Sequence, residues 1–273
     1  ISFDHNSRHG NASSTYTSSL TNITLPDTLS HRSSQQYRDG HNNELTLTAN
    51  ATRKLAWGDE VTFSAKYKHA SSEHELFGRN ITSQRGQTPS VDYRHEYDKA
   101  NSQENDYGLK VKYTVPFLNG PAVSLIYNPT HRRISDCDNL FRLDRLEGWS
   151  ISANKPLRLL PSIASMMASC IDLDNTYNYK EAATDHILTL NINQRSSTGK
   201  GTKRNVEFAF PITLTHERLE YTRGLIDTIS SRNYTVLNPG LYYESIWKEE
   251  RYTFRASTSF LTSAANFLQL MPF

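Results

Sequence analysis

The sequence predicts part of an antiparallel transmembrane β-barrel: all-β, about nine strands, with short turns at one end and long loops at the other. Three observations predict it. Apolar and polar residues alternate with a period of two through four hairpins, the mark of strands with one apolar and one wet face. The connections alternate short, long, short, long. Aromatic residues recur ten positions apart on one face.

In the first hairpin Leu45, Leu47, Ala49 and Ala51 alternate with polar neighbours. After a turn at Ala56-Trp57-Gly58-Asp59, Val61, Phe63, Ala65 and Tyr67 alternate back. In the second, Leu109, Val111, Tyr113 and Val115 lead through Leu118-Asn119-Gly120-Pro121 to Val123, Leu125 and Tyr127. Its Asn-Gly pair favours the positive φ of a tight turn. The third runs from Leu188, Leu190 and Ile192 through Ser197-Thr198-Gly199-Lys200-Gly201 to Val206, Phe208, Phe210, Ile212 and Leu214. The last joins Leu237, Pro239, Leu241 and Tyr243 to Tyr252, Phe254, Ala256 and Thr258 through Trp247-Lys248-Glu249-Glu250. Polar segments over about 17–36, 72–106, 130–184 and 217–233 are the expected long loops. Within the third, 157–170 (LRLLPSIASMMASC) reads as a partly buried loop element, or as a short helix broken at Pro161.

The apolar faces must meet either a protein core or lipid. Charged Glu44, Lys66, Lys68, Lys110, Lys112, Glu207 and Arg255 fall on the opposite face, as both a membrane barrel and a half-wet soluble sheet require. Spacing discriminates better. Trp57 to Tyr67 and Tyr107 to Phe117 each span ten residues on one face, about 33 Å of strand, or about 23 Å along the membrane normal at a 45° tilt. Trp57, Phe117 and Trp247 then mark an aromatic girdle at the turn side, and Tyr67, Tyr107 and Tyr127 the outer one. Lys66, Lys68, Lys110, Lys112 and Arg255 are expected to face the lumen, where they solubilise a wet interior or favour anionic and polar solutes.

Bulk properties agree. Mean hydropathy is −0.64, and no apolar run is long enough for a transmembrane helix. With 30 basic and 28 acidic side chains the charge is nearly balanced, which gives no reason to expect nucleic acid. Residues 1–273 read as one domain, with both ends appearing cut within a longer barrel. Cys137 and Cys170 allow one disulfide or two free thiols.

No catalytic, cofactor or metal site is expected. His216-Glu217 lacks the second histidine of a zinc-protease motif, and no Gly-x-Ser-x-Gly elbow occurs. Gly199-Lys200-Gly201-Thr202 reads as a turn rather than a phosphate loop, and Asp172-Leu173-Asp174-Asn175 lacks a calcium-loop frame. A soluble secreted β-sheet protein binding glycans or another protein is the alternative, with a non-transporting structural barrel as a third reading.

The stretches Leu143-Asp144-Arg145-Leu146-Glu147-Gly148-Trp149, Leu173-Asp174-Asn175-Thr176-Tyr177 and Leu219-Glu220-Tyr221-Thr222-Arg223-Gly224 resemble one known family. So do Leu237-Asn238-Pro239-Gly240-Leu241, Phe254-Arg255-Ala256-Ser257-Thr258-Ser259 and Leu268-Gln269-Leu270-Met271-Pro272-Phe273. That family is the large outer-membrane β-barrel family of Bacteroidota, related to TonB-dependent receptors. The resemblance implies a bacterial outer-membrane setting in contact with lipid, and nutrient transport or reception of an unidentified small molecule. It also implies upstream modules such as a plug, and further barrel strands; energy coupling itself is not carried over, and an energy-coupling or surface-lipoprotein partner is left as an open expectation. It transfers no catalytic residue.

Overall fold

A computed structural model describes residues 2–21, 28–84, 90–117, 120–198, 202–247 and 252–262. They form ten antiparallel strands in one open sheet. In chain order these are β1 (Ser2–Thr21), β2 (Thr28–Lys54), β3 (Glu60–Gln84), β4 (Ser90–Pro116), β5 (Ala122–Arg142), β6 (Tyr177–Thr198), β7 (Thr202–Arg223), β8 (Ile226–Leu237), β9 (Gly240–Trp247) and β10 (Tyr252–Ser259). Each pairs with its sequence neighbour up to β8, and β9 then pairs with both β7 and β10.

The tenth strand arises from an interruption. Ile212 pairs with Leu237 of β8, and Ala209 pairs with Gly240 of β9, in one continuous register along β7. β8 and β9 therefore lie end to end, separated at Asn238-Pro239. Proline has no N–H to give to a ladder, and here the Asn238 N–H bonds the Pro211 carbonyl at 3.4 Å.

The expected long loops are mostly strand. β3 and β4 stay paired from Glu60↔Thr114 to Gln84↔Ser90, and β1 with β2 from Ser2↔Thr48 onward. These upper portions carry Ser, Asn, His and charge on both faces. Only a few side chains there, Phe77 and Tyr97 among them, are buried, so no apolar period is written, yet a register set lower in the hairpin propagates through backbone pairing. The turn around Leu55–Asp59 is tight: the Leu55 N–H bonds the Asp59 carbonyl at 2.8 Å, and Gly58 takes φ +95°. Residues 118–119, 199–201 and 248–251, which carry parts of the other three turns, lie outside the described residues, as do Ile1 and 263–273.

Between β5 and β6 the chain leaves the sheet and folds over one of its faces. This excursion carries two short 3-10 turns and a six-residue helix, α1 (Ala164–Ser169). The helix thus forms after Pro161, where a loop element was the first expectation. The excursion covers an aromatic row, Tyr37–Phe77–Tyr97–Phe141, whose successive ring centroids are 6.3, 4.7 and 5.7 Å apart. Leu143, Trp149 and Cys170 pack on that row as the main buried core, with Leu157, Leu160 and Met167 alongside. Backbone bonds staple both ends of the excursion: Arg142 N–H to Cys170 O and Asp172 N–H to Leu140 O, both 2.7 Å. Arg142 grips Asp144 with Nε and Nη2, at 3.0 and 2.9 Å.

Candidate functional site

The sheet is a wall with two unlike faces. Residues paired across the ladder share a face, so the rows can be read from the register. One row runs Ala51, Phe63, Val111, Tyr127, Leu188, Ile212 and Leu237; the next, Val61, Tyr113, Leu125, Leu190 and Phe210. Ile192 and Val206, Phe208, Leu241 and Tyr243 continue this face toward the turns. These side chains are not covered: Phe63, Leu109, Leu125 and Leu188 are each more than two-fifths exposed. A band of contiguous exposed apolar rows of this kind marks a surface that meets something other than water.

The band also runs obliquely. The ladder row through Thr48 on β2 reaches Thr215 on β7 and Tyr234 on β8. On β7 the band is centred near Phe210, and on the β8–β9 line, from Leu237 to Trp247, near Tyr242. It therefore drifts five residues, about 17 Å, over five strand spacings of about 4.8 Å, and eight residues, about 27 Å, over six. The corresponding slope is about 35–45° to the row direction.

The opposite face is polar. Lys66, Lys110 and Lys112 pair across the ladder with Gly108, Ser64 and Thr62 and share this face with Lys68. Lys68 lies 3.7 Å from both Glu44 and Glu104, and Arg255 Nε donates to Glu244 at 2.7 Å. So Lys68 and Arg255 are not free cations. The sequence placed Glu44 on this face but did not identify Glu104 or Glu244 as partners, because the pairing depends on cross-strand register.

Several clefts mark this polar wall, two of them rich in charge. One, of 470 Å³, is lined by Asn6, Arg8, Asn42, Glu44, Lys68 and Glu104 among others. The second, of 400 Å³, is lined by Lys66, Asp106, Arg132, Asp185, Glu217 and Tyr234 among others. Its groups are cross-linked. Thr215 donates to Asp185 at 2.6 Å, while Arg232 and Tyr234 each donate to Glu217 at 2.7 Å. Arg132 donates to Glu181 at 2.7 Å, and Tyr179 donates to the same carboxylate. Further from the turns, burial and the adjacent Asp138 push Asp98 up to about 7, and burial with Asp136 pushes Tyr177 up to about 12.

The expected aromatic markers are placed as follows. Tyr67 and Tyr107 pair directly, with ring centroids 5.1 Å apart. Tyr127 lies two rows nearer the turns, opposite Val111, as the oblique band requires. Trp57 is exposed at its turn and donates to Asp59 at 2.7 Å. Phe117 directly follows β4, and Trp247 stacks on Tyr252. Cys137 and Cys170 are free thiols. Cys170 is fully buried, where burial pushes its thiol up; its Sγ lies 3.3 Å from the Met167 carbonyl. Cys137 Sγ accepts from Asn139 at 3.2 Å. Among the described residues no cluster of His, Cys, Asp and Glu is arranged to hold a metal ion.

The sequence reading missed the margin of the band. Just past the last residue of the band on this face stand His5 on β1, His69 on β3, His131 on β5, His186 on β6 and His216 on β7. The signal is present in sequence as a histidine flanking the apolar alternation in phase on β1, β3, β5, β6 and β7. Only the pairing shows that these histidines line one boundary. No protein-family model matches the chain, and no curated protein matches it.

Proposed function

We propose that this chain forms part of the wall of a bacterial outer-membrane β-barrel that admits or receives a small polar nutrient, in the manner of TonB-dependent receptors. The observation that carries the reading is the oblique apolar band. Transmembrane strands tilt about 35–45° from the barrel axis, so a level lipid band must cross them at that slope. A soluble sheet packed on a second layer has no such requirement. The band's height on β4, from Tyr107 to Phe117, is about 23 Å along the normal at 45°, close to the roughly 25 Å apolar zone of such barrels.

The polar face then lines the lumen, with the Lys66–Asp185–Glu217 cleft as a place where solute hydroxyls or charges meet a fixed hydrogen-bonding array. Ion pairing of Lys68 and Arg255 favours a polar wall of mixed sign over an anion filter. Barrel closure needs the free edges of β1 and β10 to be paired, directly or through further strands.

The test is fractionation and gel mobility of the expressed protein. The proposal expects it in the outer-membrane fraction, soluble only with detergent, and migrating differently before and after boiling. A folded, detergent-free, water-soluble monomer would overturn it.

A further inference from the structure

The margin of the band that lies away from the turns has a chemistry of its own. Past the apolar run the same face presents His5, His69, His131, His186 and His216, followed by Arg133 and Arg218. No carboxylate interrupts the two ladder rows that hold His131 and Arg133: the first reads Leu47, Tyr67, Tyr107, His131, Thr184, His216, and the second Leu45, His69, Asn105, Arg133, Ala182, Arg218. Glu104, Asp106 and Asp185 project from the opposite face; on this face Glu220, the next same-face residue beyond Arg218, pairs with that arginine at 2.9 Å and leaves Arg133 as the cation without a carboxylate among the described residues. Several of these rings are held in place through Nδ1: His69 against Asn105, His131 against Thr184, and His186 against Tyr127, each at 2.8 Å. Arg133 is exposed and donates through Nε to His131 at 3.0 Å, with no carboxylate among the described residues in ion-pair reach.

Directly below this corner the band is hollowed. A groove of 580 Å³ is lined by Leu47, Ala49, Ala65, Tyr67, Leu109 and Pro129 among others. Ala49 and Ala65 pair with each other and leave a low floor. Beside them the β4–β5 ladder stops at Gly108↔Thr130 and resumes at Val111↔Tyr127, because Pro129 has no N–H to give. Tyr67 and Tyr107 wall the end nearest His131.

We infer that this groove and its basic rim form a binding site for one phosphate-bearing lipid of the surrounding leaflet, its acyl chain on Ala49–Ala65–Pro129 and its phosphate at His131, Arg133 and His69. The inference rests on the membrane reading above. Charge complementarity names the occupant: an apolar slot that ends at the Arg133 guanidinium, whose Nη donors no described carboxylate takes up, suits an anionic headgroup on a hydrocarbon tail. A neutral lipid would leave those donors unused.

The experiment uses the full chain folded in detergent, with lipid retention read by native mass spectrometry and by thermal shift. The probes are phosphatidylglycerol, diacylglycerol and glycerol 3-phosphate, which carry tail and phosphate, tail alone, and phosphate alone. Phosphatidylglycerol should be retained and the other two lost. Ala65→Leu, which fills the groove without adding charge, and the double variant His131→Gln with Arg133→Gln should each weaken retention about tenfold or more, the scale of hydrogen bonds to a charged group. Lys110→Gln, an equal loss of charge on the other face, should leave retention unchanged. Equal retention of phosphatidylglycerol and diacylglycerol, or unaltered retention in both groove and rim variants, overturns the inference while leaving the membrane reading in place. A chain that never needs detergent overturns both.

Discussion

Leu190 is the position at which lipid and water predict the most different outcomes. It sits near mid-band, between Leu125 on β5 and Phe210 on β7, and is 40% exposed. If that exposed surface meets hydrocarbon, Leu190→Lys places an ammonium near the bilayer midplane, at a cost of about 2–4 kcal/mol. If it meets water, the loss is confined to the buried part of the leucine, about 1 kcal/mol when full burial of such a side chain gives about 1.5–3. Thr189→Lys supplies the control, one residue away on the face that carries Lys112, and should cost less than about 1 kcal/mol in either setting. The assay is reversible unfolding of the chain in vesicles, read from tryptophan fluorescence and gel mobility. The account predicts that Leu190→Lys lowers the folded-to-unfolded ratio by about fivefold or more relative to Thr189→Lys. Equal tolerance of the two lysines would refute the reasoning.

Other outcomes follow from the excursion and the polar wall. Leu143 is fully buried, so Leu143→Ala should cost about 2–5 kcal/mol locally; hydrogen exchange should rise across 143–176 and not in the band. Asp98 holds its proton up to about 7 in the fold because of burial and Asp138. A carboxyl raised above its unfolded value favours the fold at acid pH, and that contribution is lost as pH climbs from about 4 through about 7. Asp98→Asn should therefore raise thermal stability at pH 8 and flatten its pH dependence between 4 and 8. Maleimide should label native protein at the half-buried Cys137 alone and reach Cys170 only after unfolding, since Cys170 is enclosed and its thiol is pushed up.

The parts of the wall legible in sequence are those where one face is apolar. Val61 to Tyr67 and Val206 to Leu214 declare their strands because every second side chain must avoid water. Further from the turns, His69 to Gln84 and Ser90 to Asn105 are just as extended, but polar side chains fall on both faces and the buried Phe77 and Tyr97 meet the excursion instead of an alternating apolar band, so nothing in their order distinguishes strand from loop. The excursion was harder still. Its helix is six residues long and uncapped by any side chain, and its core is assembled from Tyr37, Phe77 and Tyr97, far away in sequence. Cross-strand consequences were invisible for the same reason: the Lys68–Glu104 contact, the slope of the band and the histidine margin all depend on register.

The most direct test of the central claim is the environment of two adjacent side chains in a bilayer. Nitroxide labels at Leu188 and Thr189, on a Cys137→Ser background with Cys170 left in its enclosed site, report access to oxygen, which concentrates in lipid, and to a water-soluble nickel chelate. The account predicts high oxygen access at 188, high nickel access at 189, and reversal at each step along β6 through the band. Nickel access at both positions, or a label at 188 shielded from both reagents, would contradict it.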